Sequence, residues 1–246
     1  MDVTIYTSLN FAEILPCTAC KSLTITWTET TPLNLTLPNL MYISSYLNIA
    51  PSGSNAISYL GFPRLLFVGG SLTVVAGEVR SKISTIFIPQ LTFSNSILIG
   101  GPRHFGWVCW TRTGVSPELT WQIGDVELSL YNNASLRIAQ TLEVAVPNAN
   151  GNISRLNIGS VSSIGPLTDG CNAIKVSGLG NIGDVLVNSM SFGANKALQL
   201  VLQGALLVSM NMSGSLSRFS AYGVRASLES AIYAGIAVDA FGWCCD

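Results

Sequence analysis

Thirteen carboxylates, six cysteines and one histidine make up most of the reactive side chains in this 246-residue chain. His104, between Arg103 and Phe105, has the residue type of a general base, but no G-x-S-x-G elbow offers it a nucleophile. Gly178, Gly180 and Gly183 match G-x-G-x-x-G, the turn that places a pyrophosphate on a helix N-terminus. That chemistry needs a helix after the glycines and an acid about twenty residues on. Asp184-Val185-Leu186-Val187 is strand-like instead, and no Asp or Glu falls between Asp184 and Glu229, so the motif is expected to be a glycine-rich corner. Asp125 and Glu127 are the nearest pair of acids; on a strand their side chains share a face about 7 Å apart, the pattern of a solvated edge more often than of a catalytic pair. With one histidine and a single C-x-x-C, Cys17-Thr18-Ala19-Cys20, neither metal ligation nor a redox centre is expected.

Trp107 and Trp110 lie in the segment 100–112, flanked by Arg103 and Arg112, with His104 between them and Trp121 and Tyr131 further on. Exposed rings beside guanidinium groups stack on sugars or anchor protein interfaces, whereas buried ones fill space inside a widened fold. Cys109, between two tryptophans, suggests a loop pinned by a disulfide.

These residues must be positioned by a repeat. Ser22-Leu23-Thr24-Ile25, Tyr46-Leu47-Asn48-Ile49, Ser71-Leu72-Thr73-Val74 and Ser96-Ile97-Leu98-Ile99 read as strands, their second residues 24, 25 and 25 positions apart. Between them fall Leu37-Pro38-Asn39-Leu40, Phe62-Pro63-Arg64-Leu65 and Ile88-Pro89-Gln90-Leu91, with prolines 25 and 26 apart. Two patterns sharing one period indicate units that bury an apolar face by stacking on their neighbours. Strand phrases continue beyond Trp121, at Val126–Leu130, Ser135–Ile138, Thr141–Val144, Arg155–Ile158, Ala173–Val176 and Asp184–Val187, with asparagine and glycine turns between them. The expectation is one all-β domain over 1–246: a cap over 1–21, regular units over 22–122 with an inserted loop at 100–112, and irregular units with a C-terminal cap over 123–246. Val224–Ile232 fits a short helix or a final strand equally well.

Phe62-Pro63-Arg64-Leu65-Leu66-Phe67-Val68-Gly69-Gly70 followed by Ser71-Leu72-Thr73-Val74 resembles the repeat signature of receptor L-domains, a leucine-rich-repeat type of solenoid found in fungal cell-wall proteins and receptor-kinase ectodomains. Leu37–Ile43 and Ile88–Leu91 are similar, and the likeness covers about residues 22–101. The resemblance implies a right-handed β-solenoid with cell-surface, wall or binding roles, and it brings no catalytic residues with it.

Composition narrows the partners. Hydrophobic residues make up 48% and charged residues only 10% of the chain, where roughly a quarter charged is usual. Its net charge is −1, and the basic residues are scattered, so there is no stripe to neutralise phosphates and nucleic acid is not an expected partner. A surface so weakly charged does little to keep copies apart. No run approaches the 18 or so apolar residues of a membrane helix; Ala197–Met212 reads better as two strands around Gly204. Asp2, where a leader would be basic, fits a mature form.

Extracellular or cell-surface localisation is favoured by the even cysteine count and by four glycosylation sequons, at Asn34, Asn133, Asn152 and Asn211. Cys17, Cys20, Cys109, Cys171, Cys244 and Cys245 are the disulfide candidates, with fifteen possible pairings. The expected function is a non-enzymatic, cofactor-free structural protein whose partners are copies of itself or other surface proteins. Cys17 or Cys20 could then bond Cys244 or Cys245 of the next copy. The alternatives are an adhesin that binds glycans or proteins through the Trp107/Trp110 loop, and a viral coat subunit.

Overall fold

The computed structural model describes residues 1–52, 55–76, 81–100, 121–131, 135–139, 142–146, 151–164, 174–178, 181–190, 199–203, 206–212 and 218–222, with side chains as far as Val161. The described residues are mostly strand, and every strand pairing is parallel. Helix is confined to a 3-10 turn at Ser8–Asn10 and a short α-helix at Phe11–Ile14.

The strands line up in three ladders. The first joins Asp2–Ile5, Ser22–Ile25, Leu47–Ile49, the later part of Phe67–Val75, the later part of Phe93–Gly100, Leu142–Val146, Ile174–Gly178, Gln199–Gln203 and Arg218–Tyr222. The second runs from Ala19–Cys20 through Tyr42–Ile43, the starts of the two long strands at 67 and 93, and Ser135–Ile138 to the ends of Gly151–Ile164 and Asn181–Met190. The third joins Leu33–Thr36, Ala56–Gly61, Lys82–Ile88, Trp121–Leu128, the starts of Gly151–Ile164 and Asn181–Met190, and Leu206–Met212.

Period-2 alternation decides which side chains point in. In the first ladder Ile5, Ile25, Ile49, Val74, Ile99 and Val144 are successive partners, and all are fully buried. Leu60, Ile86, Val126 and Leu156 form a matching buried column in the third ladder. Such columns suit Leu, Ile and Val, because each branched side chain packs on its like one rung away. The second ladder's inward column is Cys20, Ile43, Val68, Ser94 and Ile138. Ser94 is tolerated there because its hydroxyl bonds the carbonyls of Ser96 at 2.8 Å and Gly70 at 3.3 Å.

The x-Pro-x-Leu phrases form the corners between the third and second ladders. Phe62, Leu65, Ile88 and Leu91 point into the core, and the Leu65 and Leu91 amides close turns on the Phe62 and Ile88 carbonyls. Past each corner the backbone bonds continue between rungs: Leu66 donates to Met41 at 2.9 Å, Thr92 to Leu66 at 2.8 Å and Arg137 to Thr92 at 2.8 Å. On the outer surface the Phe67 and Phe93 rings stack at 4.8 Å, the spacing of adjacent strands.

Residues 1–21 do more than cover an end. Asp2–Ile5 pairs residue for residue with Ser22–Ile25, so the first ladder begins before the first recognisable phrase. The cover comes from Phe11–Ile14, where Ile14 is fully buried and the Phe11 ring stacks on Trp27 at 5.9 Å. Trp27 Nε1 donates to the Thr31 carbonyl at 2.8 Å, which holds the ring that Phe11 covers, and Asn39 Nδ2 donates to the Leu15 carbonyl at 3.2 Å, tying the cover to the bend after Leu33–Thr36.

Candidate functional site

Of the insertion anticipated at 100–112, Gly100 is instead the last residue of the strand Phe93–Gly100, and 101–112 lie outside the described residues, Arg103, His104, Trp107, Cys109, Trp110 and Arg112 among them. Register places it nonetheless. Lys82 is 40 positions from its partner Gln122, whereas Ala56 is 26 positions from its partner Lys82, so the extra chain falls between Gly100 and Trp121. Asn133, Cys171, Cys244 and Cys245 are likewise outside the described residues.

The remaining sequons fall on strands of the third ladder. Asn34 is exposed on Leu33–Thr36, Asn152 is half-buried with its amide donating to Ser154 Oγ at 3.4 Å, and Asn211 pairs with Leu186. Among the described residues, Leu33–Thr36 is paired only with Ala56–Gly61, so its other edge has no strand partner. Leu33 and Leu35 point into the core from this edge strand, while Asn34 and Thr36 point out.

Cys17 and Cys20 share no disulfide. Cys20 is a core residue at the start of the second ladder, and burial, followed by the neighbouring Cys17, pushes its thiol up to about 11. Cys17 is half-buried in the turn after the helix and packs against the core.

The G-x-G-x-x-G segment leads into the strand Asn181–Met190, where a dinucleotide turn would require a helix. Gly183 stands in a corner column of the third ladder, opposite Ser154, between the register pairs Ile153–Ile182 and Arg155–Asp184. Gly124 precedes it in that column, with the Ser84 carbonyl against its Cα. At Gly124 the backbones approach too closely for a Cβ, while Ser84 and Ser154 carry one in the same column.

Asp125 and Glu127 do share the outer face, either side of the buried Val126. Their neighbours come from other strands. Asp125 pairs with Thr85 on one side and Arg155 on the other, and Arg155 pairs in turn with Asp184. Lys82, Gln122 and Asn152 form a parallel column three residues earlier. Between the two columns runs a shallow groove of about 300 Å³ lined by Lys82, Ser84, Gln122, Gly124, Asp125 and Ser154. The side chains of Lys82, Gln122, Asp125 and Arg155 make no hydrogen bond or ion pair with any described residue. By contrast, Lys21 and Asp2 at the first rung pair at 3.4 Å.

Among the described residues there is no group of three or more His, Cys, Asp or Glu able to hold a metal ion, and no helix long and apolar enough to cross a membrane. No known protein family, no curated protein and no solved structure matches the chain.

Proposed function

We propose that the chain is a right-handed β-solenoid of the receptor L-domain kind, a single domain that serves as a non-enzymatic, extracellular structural protein and assembles with copies of itself into a filament, sheath or wall layer. The observation that carries this reading is the edge strand Leu33–Thr36, which begins the third ladder and is paired on one side only among the described residues. A parallel ladder has no intrinsic end, and a strand with one free edge is a template for the next. Three ladders running in register along one chain, joined by short corners, support the solenoid. The right hand follows from the twist of strands, which makes nearly all crossovers between parallel strands right-handed.

Weak charge supports assembly, since only 10% of residues are charged and repulsion between copies is small. The contact is not expected to be covalent through Cys20, whose thiol points into the core. An outward Asn34 suits a secreted chain. The test is electron microscopy of the purified chain over a range of concentrations, with sedimentation on the same samples. Filaments or sheets that grow with concentration are expected; a monodisperse monomer throughout would overturn the reading.

A further inference from the structure

From the groove on the third ladder we infer a second activity, independent of assembly: binding of a neutral, polyhydroxylated glycan segment between the Lys82–Gln122–Asn152 and Asp125–Arg155 columns. The groove volume of about 300 Å³ lies at the low end of ligand pockets, with room for about one or two pyranose rings. Its floor of Ser84, Gly124 and Ser154 is kept low by the close backbone approach at that corner, so its shape follows from the ladder itself. It extends over three rungs, roughly 10 Å along the ladder, which suits part of an extended chain.

The side chains select the ligand class. In a chain so poor in charge, the Lys82 ammonium and the Asp125 carboxylate both line the groove, and neither is paired with another described residue. Arg155, the register partner of Asp125, stands on the next rung beside the groove. A polyanion would meet Asp125 unfavourably, and a divalent cation would find its one carboxylate offset by the Lys82 ammonium. An apolar ligand would strand both charges. Sugar hydroxyls satisfy both signs, one donating to Asp125 and another accepting from Lys82, and Gln122 adds a group that does either.

The test is calorimetric titration of the full chain with cellohexaose, chitohexaose and xylohexaose, and with hexagalacturonate as the acidic probe. At least one neutral oligomer is expected to bind, with the acidic one at least about tenfold weaker. Asp125→Ala and Gln122→Ala should each lower the affinity about tenfold or more, and Lys21→Ala, at the remote ion pair, should leave it unchanged. Melting curves establish that the variants fold; should Asp125→Ala fail to fold, Gln122→Ala carries the comparison. Failure of all three neutral oligomers to bind at millimolar concentration, preference for the acidic oligomer, or binding unchanged by the groove substitutions would overturn the inference.

Discussion

Gly124 lies so close to Ser84 across the third ladder that a Cβ built on the glycine would clash with the Ser84 carbonyl oxygen. The path of Trp121–Leu128 at this point therefore depends on a residue without a Cβ. Gly159 bears the same relation to the Ser129 carbonyl.

Gly124→Ala is expected to destabilise the chain by about 3 kcal/mol, at the upper end of what overpacking costs, because the obstructing atom is backbone and cannot rotate away. Ser84→Ala, on the same floor, should change stability by less than about 0.5 kcal/mol. Urea denaturation of the two variants measures the contrast.

Charge at the free edge should act against assembly and not against folding. Asn34 and Thr36 are both exposed, so Asn34→Lys combined with Thr36→Lys is expected to leave the melting temperature nearly unchanged. The same double substitution should raise the concentration needed for assembly about tenfold or more, read by sedimentation.

Glu29 accepts bonds from the Ser8 amide at 2.8 Å and the Ser8 hydroxyl at 2.9 Å, and these, the amide first, hold its carboxyl below the ordinary value of 4.5. A depressed carboxylate stabilises the fold above its unfolded value and ceases to do so as the pH falls through the lower folded value. Thermal melts of the parent chain and Glu29→Gln should differ at pH 7, and the difference should shrink as the pH drops below about 4.5.

Cys20 is expected to resist alkylation in the folded chain. A thiol raised from 9 to about 11 carries about 100-fold less thiolate at pH 8, and its position in the core blocks access besides. Because its folded value lies above the unfolded one, its contribution to stability is complete below pH 9 and is lost as the pH rises through about 11. Mass spectrometry after iodoacetamide, with and without urea, distinguishes the protected thiol from an accessible one.

Much of the strand pattern was legible in the residues, and particular partners show why. Leu23, Leu47, Leu72 and Ile97 announce themselves by constant spacing and become register partners. Leu142, the next partner, is 45 positions past Ile97, so no fixed period reveals it. Val3 and Ile5 were missed because two apolar residues in a four-residue strand carry too little pattern to be separated from a cap. The two strands around Gly204 were anticipated, since glutamines and a glycine interrupt an otherwise apolar run. The groove was not legible at all. Lys82, Asp125 and Arg155 are scattered in sequence and meet only through register, which the 101–120 insertion shifts by an amount that residue spacing does not disclose.

The central claim is that successive strands stack in register along one continuous ladder, and paired spin labels test it most directly. Thr24, Asn48, Thr73, Leu98, Glu143, Lys175 and Val201 are successive partners in the first ladder. Nitroxide amino acids placed at Thr24 and Leu98, Thr24 and Lys175, and Thr24 and Val201 should give dipolar distances of about 14, 24 and 29 Å, rising by one strand spacing per rung. Distances that fail to rise in that order, or that cluster near one value, would contradict the account.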